Sequence, residues 1–100
     1  MQRFEWDIEK QRINEQKHGL SFEEAKSTFY DPYLLLIEDR VVNGEIRHHA
    51  IGFANHQLLL TVAHTVRYED GEQTIIRIIS ARKADKYERK RYGAALVRSR

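Results

Sequence analysis

Residues 58–82, LLLTVAHTVRYEDGEQTIIRIISAR, decide the fold of this chain. Two runs rich in Val, Ile and Thr flank Asp70-Gly71, and this dipeptide is a strong signal for a two-residue hairpin turn. With that turn, Arg67 lies opposite Thr74. The stretch therefore predicts two long antiparallel strands joined directly to each other.

This pairing assigns the side chains of the hairpin to two faces, because successive residues of a strand point to opposite sides. One face of an antiparallel sheet normally packs on helices, so the more apolar face is expected to lie in the core. That face carries Leu60, Val62, His64, Val66, Ile75, Arg77 and Ile79, with His64 opposite Arg77. The open face carries Thr61, Thr65, Arg67, Ser80 and Arg82, with Thr61 opposite Ser80. A slip of one residue would exchange the faces.

The residues on either side of this hairpin complete an α+β pattern. Asp7 can cap a helix that runs to about His18, and the sequence from Ser21 to Glu24 is a capping box for a second helix. Before them, Phe4 and Trp6 alternate as in a short extended segment. The further predictions are strands over 33–37, 46–53, 58–67 and 74–81, and a final helix over about 83–96. Runs of helices and strands favour α+β with an antiparallel sheet.

Composition limits the class of protein. The 100 residues suit a single domain, and the sequence contains no cysteine and no apolar run long enough to span a bilayer. We therefore expect a cytoplasmic protein. The net charge of +2 combines +6 in residues 82–100 with −4 elsewhere. Such a basic segment indicates contact with a polyanion or with an acidic partner.

Motifs along most of the chain carry a family resemblance. In the N-terminal part they are Phe4, Glu5, Trp6, Asp7, Lys10, Asn14, Lys17, His18, Gly19, residues 21–25, Phe29, Asp31 and Pro32. In the C-terminal part they are Arg47, Ile51, Gly52, residues 58–62, 64–67 and 75–82, Glu88, Arg89 and Tyr92. In this order the motifs resemble the BrnT family of type II toxins, within the RelE/ParE-like superfamily, over residues 4–92.

The resemblance implies a fold and an activity. The fold is a single RelE/ParE-like toxin domain over residues 1–100, with two N-terminal helices, a four-stranded antiparallel sheet and a C-terminal helix. The activity is that of an endoribonuclease that cleaves mRNA and arrests translation. Two alternatives stay open: the ParE branch of the superfamily poisons DNA gyrase without cleaving RNA, and an inactive toxin would serve only as a binding module.

The resemblance also implies partners. A BrnA-like antitoxin neutralises the toxin in a hetero-oligomer and helps to repress their shared operon. The toxin then meets operator DNA only through the antitoxin. Its own nucleic-acid partner is RNA, either free or on the ribosome.

RNA cleavage without a metal needs a base for the 2′-hydroxyl, cations for the phosphorane and an acid for the leaving 5′-oxygen. Arg82 lies where the last strand meets the last helix, so we expect it to clamp a phosphate while the Ser80 hydroxyl orients an oxygen. The resemblance also supports Arg67 as a residue of the site. However, Arg67 lies about 20 Å from Ser80 along the sheet, so it binds another nucleotide or the antitoxin, or it only closes the hairpin.

The second predicted strand offers a proton carrier, since histidine suits proton transfer near neutral pH. With a three-residue turn at residues 54–56, His49 lies beside Thr61 on the open face, and Arg47 lies two residues away. With a two-residue turn, His48 takes that face instead. The two histidines point to opposite faces, so no shared zinc site is expected, and no cofactor is required.

The final helix provides candidate RNA-binding residues. They are Lys83, Lys86, Tyr87, Arg89 and Lys90. The cations would follow phosphates, or would pair with acidic residues of the antitoxin, and Tyr87 could stack on a base. Tyr92 is instead expected to pack on the sheet.

Overall fold

The fold is a mixed five-stranded sheet with three helices. The computed structural model describes residues 2–69, 71 and 73–98, and the following elements lie within these ranges. They are β1 (Gln2–Trp6), α1 (Ile8–His18), α2 (Phe22–Thr28), β2 (Leu35–Val42), β3 (Glu45–Ala54), β4 (Leu58–Glu69), β5 (Gln73–Lys83) and α3 (Lys86–Arg98). None of the helices in these ranges is long and apolar enough to cross a membrane.

Both N-terminal helices begin at the predicted caps. The Asp7 carboxylate accepts hydrogen bonds from the backbone N–H of Glu9 (2.8 Å) and Lys10 (3.2 Å). At the start of α2, Ser21 and Glu24 form a reciprocal capping box. The α1 helix ends at His18 and is capped by Gly19, whose φ of 69° is left-handed and therefore suits glycine.

The prediction of a four-stranded antiparallel sheet was incomplete. The strand order is β1-β5-β4-β3-β2, and β1 pairs in parallel with β5, from Gln2 opposite Thr74 to Trp6 opposite Ile78. A parallel strand cannot be joined to its neighbour by a short turn. The alternation of Phe4 and Trp6 indicated an extended segment, but no local signal indicated a partner so distant in sequence.

The predicted register of the β4–β5 hairpin was also wrong. Glu69 pairs with Gln73 and Arg67 with Ile75, so the strands are offset by one residue from the prediction. Asp70 and Glu72, which belong to the predicted turn and its first pair, lie outside the described residues. A bulge then shifts the register again, and Ser80 faces Ala63 instead of Thr61.

The bulge determines which residues of β5 share a face. His64 faces Ile78 but Ala63 faces Ser80, so Ile79 is the extra residue. The inner face, which packs on α2, carries Leu60, Val62, His64, Val66, Ile76, Ile78 and Ala81. The outer face carries Thr61, Ala63, Thr65, Arg67, Ile75, Arg77, Ser80 and Arg82. Because the register is offset by one residue, Ile75 and Arg77 lie on the outer face and not on the predicted core face, although Ile75 is fully buried there. Ile79, which was also assigned to the core face, is the extra residue of the bulge.

The outer face is covered at one end by α3. Tyr92 is buried there against Ile51 and Ala84, as expected, and its hydroxyl donates to Asp31 at 2.7 Å. Burial works against ionisation of Asp31, but the hydrogen bonds from Phe53 N, Tyr33 N and Tyr92 outweigh it and keep the pKa of the carboxyl below its usual value. Elsewhere on the outer face Ile75 and Thr65 are buried, while Ser80 and Arg82 are half-buried and Arg67 is exposed.

Candidate active site

His49 and Ser80 lie in one row across the outer face. The β3–β4 loop has three residues, 55–57, because Ala54 pairs with Leu58. His49 then faces Ala63, and Ala63 faces Ser80. The expectation that Thr61 separates them was wrong. Since Ala63 ends in a methyl group, it leaves open space between the two polar side chains, whose Cα atoms are about 10 Å apart.

The alternative histidine does not reach this face. His48 stacks on His64 of the inner face with 5.7 Å between ring centroids. His64 is 1% exposed, and burial lowers the pKa of its imidazole to about 4. His64 is thus a neutral core histidine, as its place on the predicted core face suggested.

Arg82 lies in the next row, opposite Thr61, and is held by Glu88 of α3. Its Nη1 donates to Glu88 Oε1 at 2.7 Å and its Nη2 donates to Oε2 at 2.8 Å. A two-point contact of this kind fixes the plane of the guanidinium. The candidate phosphate clamp is therefore oriented by a carboxylate that the sequence analysis did not place in the site.

Glu88 is the centre of a larger hydrogen-bond network. It also accepts from the Thr61 hydroxyl and the Asp85 backbone N–H, both at 2.9 Å, while Asp85 Oδ1 accepts from Glu88 N at 2.8 Å. The last two contacts form a capping box for α3. Burial works against ionisation, but Arg82, Asp85 and Thr61 together lower the pKa of Glu88 to about 2. Glu88 is consequently a carboxylate at neutral pH and cannot donate a proton.

A groove of about 410 Å³ opens between α1 and β5 beside this network. Ile79, Ser80 and Arg82 form one wall, and the other wall consists of Lys10, Ile13, Asn14, Lys17 and His18. The sequence analysis did not assign a role to these α1 residues. A signal was present, because their spacing of three, four, seven and eight residues is that of one helix face.

Asn14 attaches α1 to the sheet at this groove. Its Nδ2 donates to Ala81 O (3.0 Å) and Leu20 O (3.1 Å), and its Oδ1 accepts from Ala81 N (3.0 Å). The amide thus pairs with the edge of β5 just beyond the last residue paired with β1. Asn14 is the buried residue of α1, so polar contacts position this helix more than apolar packing does.

Arg47 lies in an adjoining pocket of about 190 Å³. Lys10 and Ile79 line both this pocket and the groove, while Arg47, Thr65 and Arg77 line the pocket alone. The structure therefore places Arg47 on the same face as His49 and Ser80, but on the side away from Arg82. Arg77 is a cation of this surface that the sequence analysis had placed on the core face.

Arg67 lies apart from these residues. It faces Ile75, five residues before Ser80 on β5, which corresponds to about 17 Å. Its Nη2 donates to Glu5 Oε1 at 3.3 Å, and Arg77 Nη1 donates to the other oxygen of Glu5 at 2.9 Å. The hydrogen bond from Arg77 is the main cause of the lowered pKa of Glu5. One carboxylate thus joins Arg67 to Arg77.

The candidate RNA-binding residues are exposed but lie outside the groove and the pocket. The prediction that all five lie on the final helix was wrong, because α3 begins at Lys86 and Lys83 is the last residue of β5. Lys83 pairs with Leu60 of the inner face, so it points away from Arg82. Lys86, Tyr87, Arg89 and Lys90 are exposed. Arg89 donates to Ala84 O at 3.0 Å, which partly occupies its guanidinium.

The charged residues of the outer face are cations, a histidine and carboxylates that lie apart from one another and next to a cation or the histidine. No group of three or more His, Asp or Glu side chains within the described ranges could hold a metal ion. His49 Nε2 lies 3.6 Å from Asp39 Oδ2 on β2. This separation is longer than a hydrogen bond, so Asp39 is a neighbouring carboxylate that does not fix the orientation of the imidazole ring. The arrangement can bind phosphates with Arg82 and Arg47 and can transfer protons with His49.

Comparison with known proteins bears on the fold and on the family of the chain. A search of curated proteins found no match. The crystal structure of the Brucella abortus ribonuclease toxin BrnT superposes with a TM-score of 0.61, at 24% identity, covering 86% of this chain and 99% of that one. This likeness supports the fold. The family model described as the ribonuclease toxin BrnT of type II toxin-antitoxin systems matches residues 6–88. The chain therefore belongs to the BrnT family of ribonuclease toxins of type II toxin-antitoxin systems.

Proposed function

We propose that this toxin cleaves mRNA on its outer face, between His49 and the pair formed by Ser80 and Arg82, without a metal ion. The observation that carries the proposal is the row His49–Ala63–Ser80 with Arg82 beside it. A phosphodiester fits over Ala63, with a proton carrier on one side and a cation on the other.

The proposed reaction is an internal transfer of the phosphoryl group. A base removes the proton of a 2′-hydroxyl, and the 2′-oxygen attacks the adjacent phosphorus. The bond to the 5′-oxygen breaks, and this oxygen takes up a proton, leaving a 2′,3′-cyclic phosphate and a 5′-hydroxyl. His49 serves as the proton carrier, with the Asp39 carboxylate beside its ring. Arg82 stabilises the charge of the phosphorane, because donors aimed at developing charge lower the barrier.

Two further residues of the site bind the substrate. Ser80 donates a hydrogen bond to a phosphate oxygen, and Arg47 binds the neighbouring phosphate from the adjoining pocket. Arg67 is too distant to share either phosphate with Arg82. We assign to it a more remote nucleotide of the same RNA.

The partner proposed for this surface is a BrnA-like antitoxin. A protein that covers Arg47, Ser80 and Arg82 would exclude RNA, so a hetero-oligomer would be inactive. Operator DNA would then be contacted through the antitoxin, and both proteins would act in the cytoplasm.

The test is cleavage of RNA in the presence of EDTA by the purified toxin and by Arg82→Ala and Ser80→Ala variants. We expect the wild type to remain active in EDTA and each variant to lose at least a hundredfold in rate, the scale of a removed transition-state donor. Arg98→Ala removes one exposed cation of α3 and serves as the control. Full activity of a folded Arg82→Ala, Ser80→Ala double variant would contradict the site.

The non-enzymatic alternative has a separate readout. If the toxin poisoned gyrase, its induction would produce DNA-damage signalling without new RNA ends. Mapping of 5′-hydroxyl RNA ends after induction therefore distinguishes the two activities.

A further inference from the structure

We propose that the groove between α1 and β5 binds the nucleotide next to the scissile phosphate, with its base against Ile13 and Ile79 and its backbone phosphates on Lys10 and Lys17. This inference rests on the proposed function, because it takes cleavage to occur beside Ser80 and Arg82. It assigns the RNA path to α1 instead of α3.

The size of the groove suits one nucleotide. Its volume of about 410 Å³ lies within the range of small-ligand sites, about 300–1,000 Å³. Ser80 and Arg82 line one wall of the groove, so a residue bound here is adjacent to the proposed reacting phosphate.

The groove contains an apolar surface that folding does not explain. Ile13 is 50% exposed on a helix that buries Asn14, so it adds little to the core. Ile79 is the extra residue of the β5 bulge and lies across the groove from it. Bases present apolar faces that stack on such side chains irrespective of sequence. Two isoleucines facing one slot therefore form a suitable base-binding surface.

The rim of the groove is cationic. Lys10 and Lys17 are separated by two turns of α1, which is about 10 Å along the axis. Of the eight described residues that line the groove, three are Lys or Arg and none is Asp or Glu. Glu88 offsets the charge of Arg82, so the two lysines supply most of the remaining attraction for phosphates.

The chemistry distinguishes this groove from the exposed surface of α3. Lys86 and Lys90 are cations on a convex helix, outside the groove and its adjoining pocket. A slot with an isoleucine on each wall and lysines at its rim matches a nucleotide, which has an apolar base and a charged backbone.

The test measures binding, which separates it from the test of cleavage. The probe is a 2′-O-methyl oligoribonucleotide of mixed sequence, which lacks the free 2′-hydroxyl and is not cleaved. Fluorescence anisotropy gives its Kd for the full-length toxin at several salt concentrations. The variants are Lys10→Ala with Lys17→Ala, and Ile79→Ala alone. The charge-matched control is Arg12→Ala with Lys26→Ala, which removes two cations outside the groove.

We expect the Lys10, Lys17 variant to bind on the order of tenfold more weakly at 0.1 M salt, with a salt slope smaller by about 1.4, since each phosphate contact to a single strand contributes about 0.7. Ile79→Ala should weaken binding severalfold without changing the slope. The control should bind like the wild type.

Two results would overturn the inference. One is a Lys10, Lys17 variant that is folded by circular dichroism and binds the probe like the wild type. This result would show that the groove does not bind RNA and would favour the antitoxin as its occupant. The other is a loss of binding confined to a Lys86→Ala, Lys90→Ala variant. Either result could occur while Arg82→Ala still abolishes cleavage, so failure of this inference is distinguishable from failure of the proposed function.

Discussion

The guanidinium of Arg82 and the carboxylate of Glu88 form a two-point ion pair, with Nη–Oε distances of 2.7 and 2.8 Å. Glu88 also caps α3 through Asp85 and accepts from Thr61. The orientation of the proposed clamp therefore depends on the start of the final helix.

Glu88→Gln should reduce kcat for RNA cleavage about tenfold to a hundredfold, with KM unchanged or lower. The amide keeps the shape of the side chain but cannot accept both guanidinium hydrogen bonds, so Arg82 is misaligned while its charge is freed for RNA. A misplacement of a catalytic group by about 1 Å can slow a reaction by about a hundredfold. Steady-state kinetics on a defined RNA measures kcat and KM separately. A change confined to KM would show that Glu88 has no positioning role.

The same carboxylate predicts acid sensitivity of the fold. The pKa of Glu88 is lowered from 4.5 to about 2, so the folded state favours the ionised form. Its contribution, about 3 kcal/mol, is complete above pH 4.5 and is lost as the pH falls toward 2. Urea unfolding of the wild type and Glu88→Gln should show that the variant loses less stability across this window. Parallel pH curves would contradict the prediction.

His64 predicts a second dependence at higher pH. Burial lowers the pKa of its imidazole from 6.5 to about 4, so the unfolded chain binds a proton before the folded chain does. Stability should therefore fall by about 3 kcal/mol as the pH decreases from 6.5 to 4. In His64→Leu this part of the curve should be flat. The measurement is the free energy of unfolding at half-unit pH steps, and a wild-type curve that is level over this range would refute it.

Asn14→Leu should destabilise the protein by about 3 kcal/mol and should reduce cleavage. The leucine fills a similar volume but leaves the Ala81 N–H, the Ala81 carbonyl and the Leu20 carbonyl without their partner, at about 1–3 kcal/mol each if they stay buried. Because Asn14 attaches α1 to β5, the groove should widen. Urea unfolding gives the stability, and Gln16→Leu on the exposed side of α1 is the control. Equal stability of both variants would argue against the anchoring role.

Helix caps made the two N-terminal helices predictable. The signals at Asp7, Ser21 and Gly19 depend on neighbours within four residues, and the structure confirms them. The pairing of β1 with β5 depends on residues more than seventy positions apart, and no local pattern encodes it. The face of Arg77 was wrongly predicted because the hairpin register is offset by one residue from the turn onward. The bulge beyond Arg77, which has no reliable sequence signature, then returns Ser80 and Arg82 to the predicted face.

The candidate site was placed partly through compensating errors. The predicted pairings of β4 with β3 and with β5 were both wrong by two residues at the row of His49 and Ser80. Thr61 was therefore expected at the place between them where Ala63 lies. His49 and Ser80 nevertheless stayed in one row because the displacements cancel across the middle strand. The partnership of Arg82 and Glu88 was not predicted, although both residues were identified, because it requires the position of α3 above the sheet.

Because Ile79 is an extra residue, the alternation of inward-facing and outward-facing side chains changes along β5. Before it, odd-numbered residues face outward, and from Ser80 onward even-numbered ones do. In-frame loss of the Ile79 codon would remove the extra residue and restore one continuous alternation, with Ser80 and Arg82 still on the outer face. The deletion would therefore keep every proposed catalytic side chain on its face and would remove only an apolar side chain of the groove. It separates the geometry of the proposed catalytic row from the apolar wall beside it.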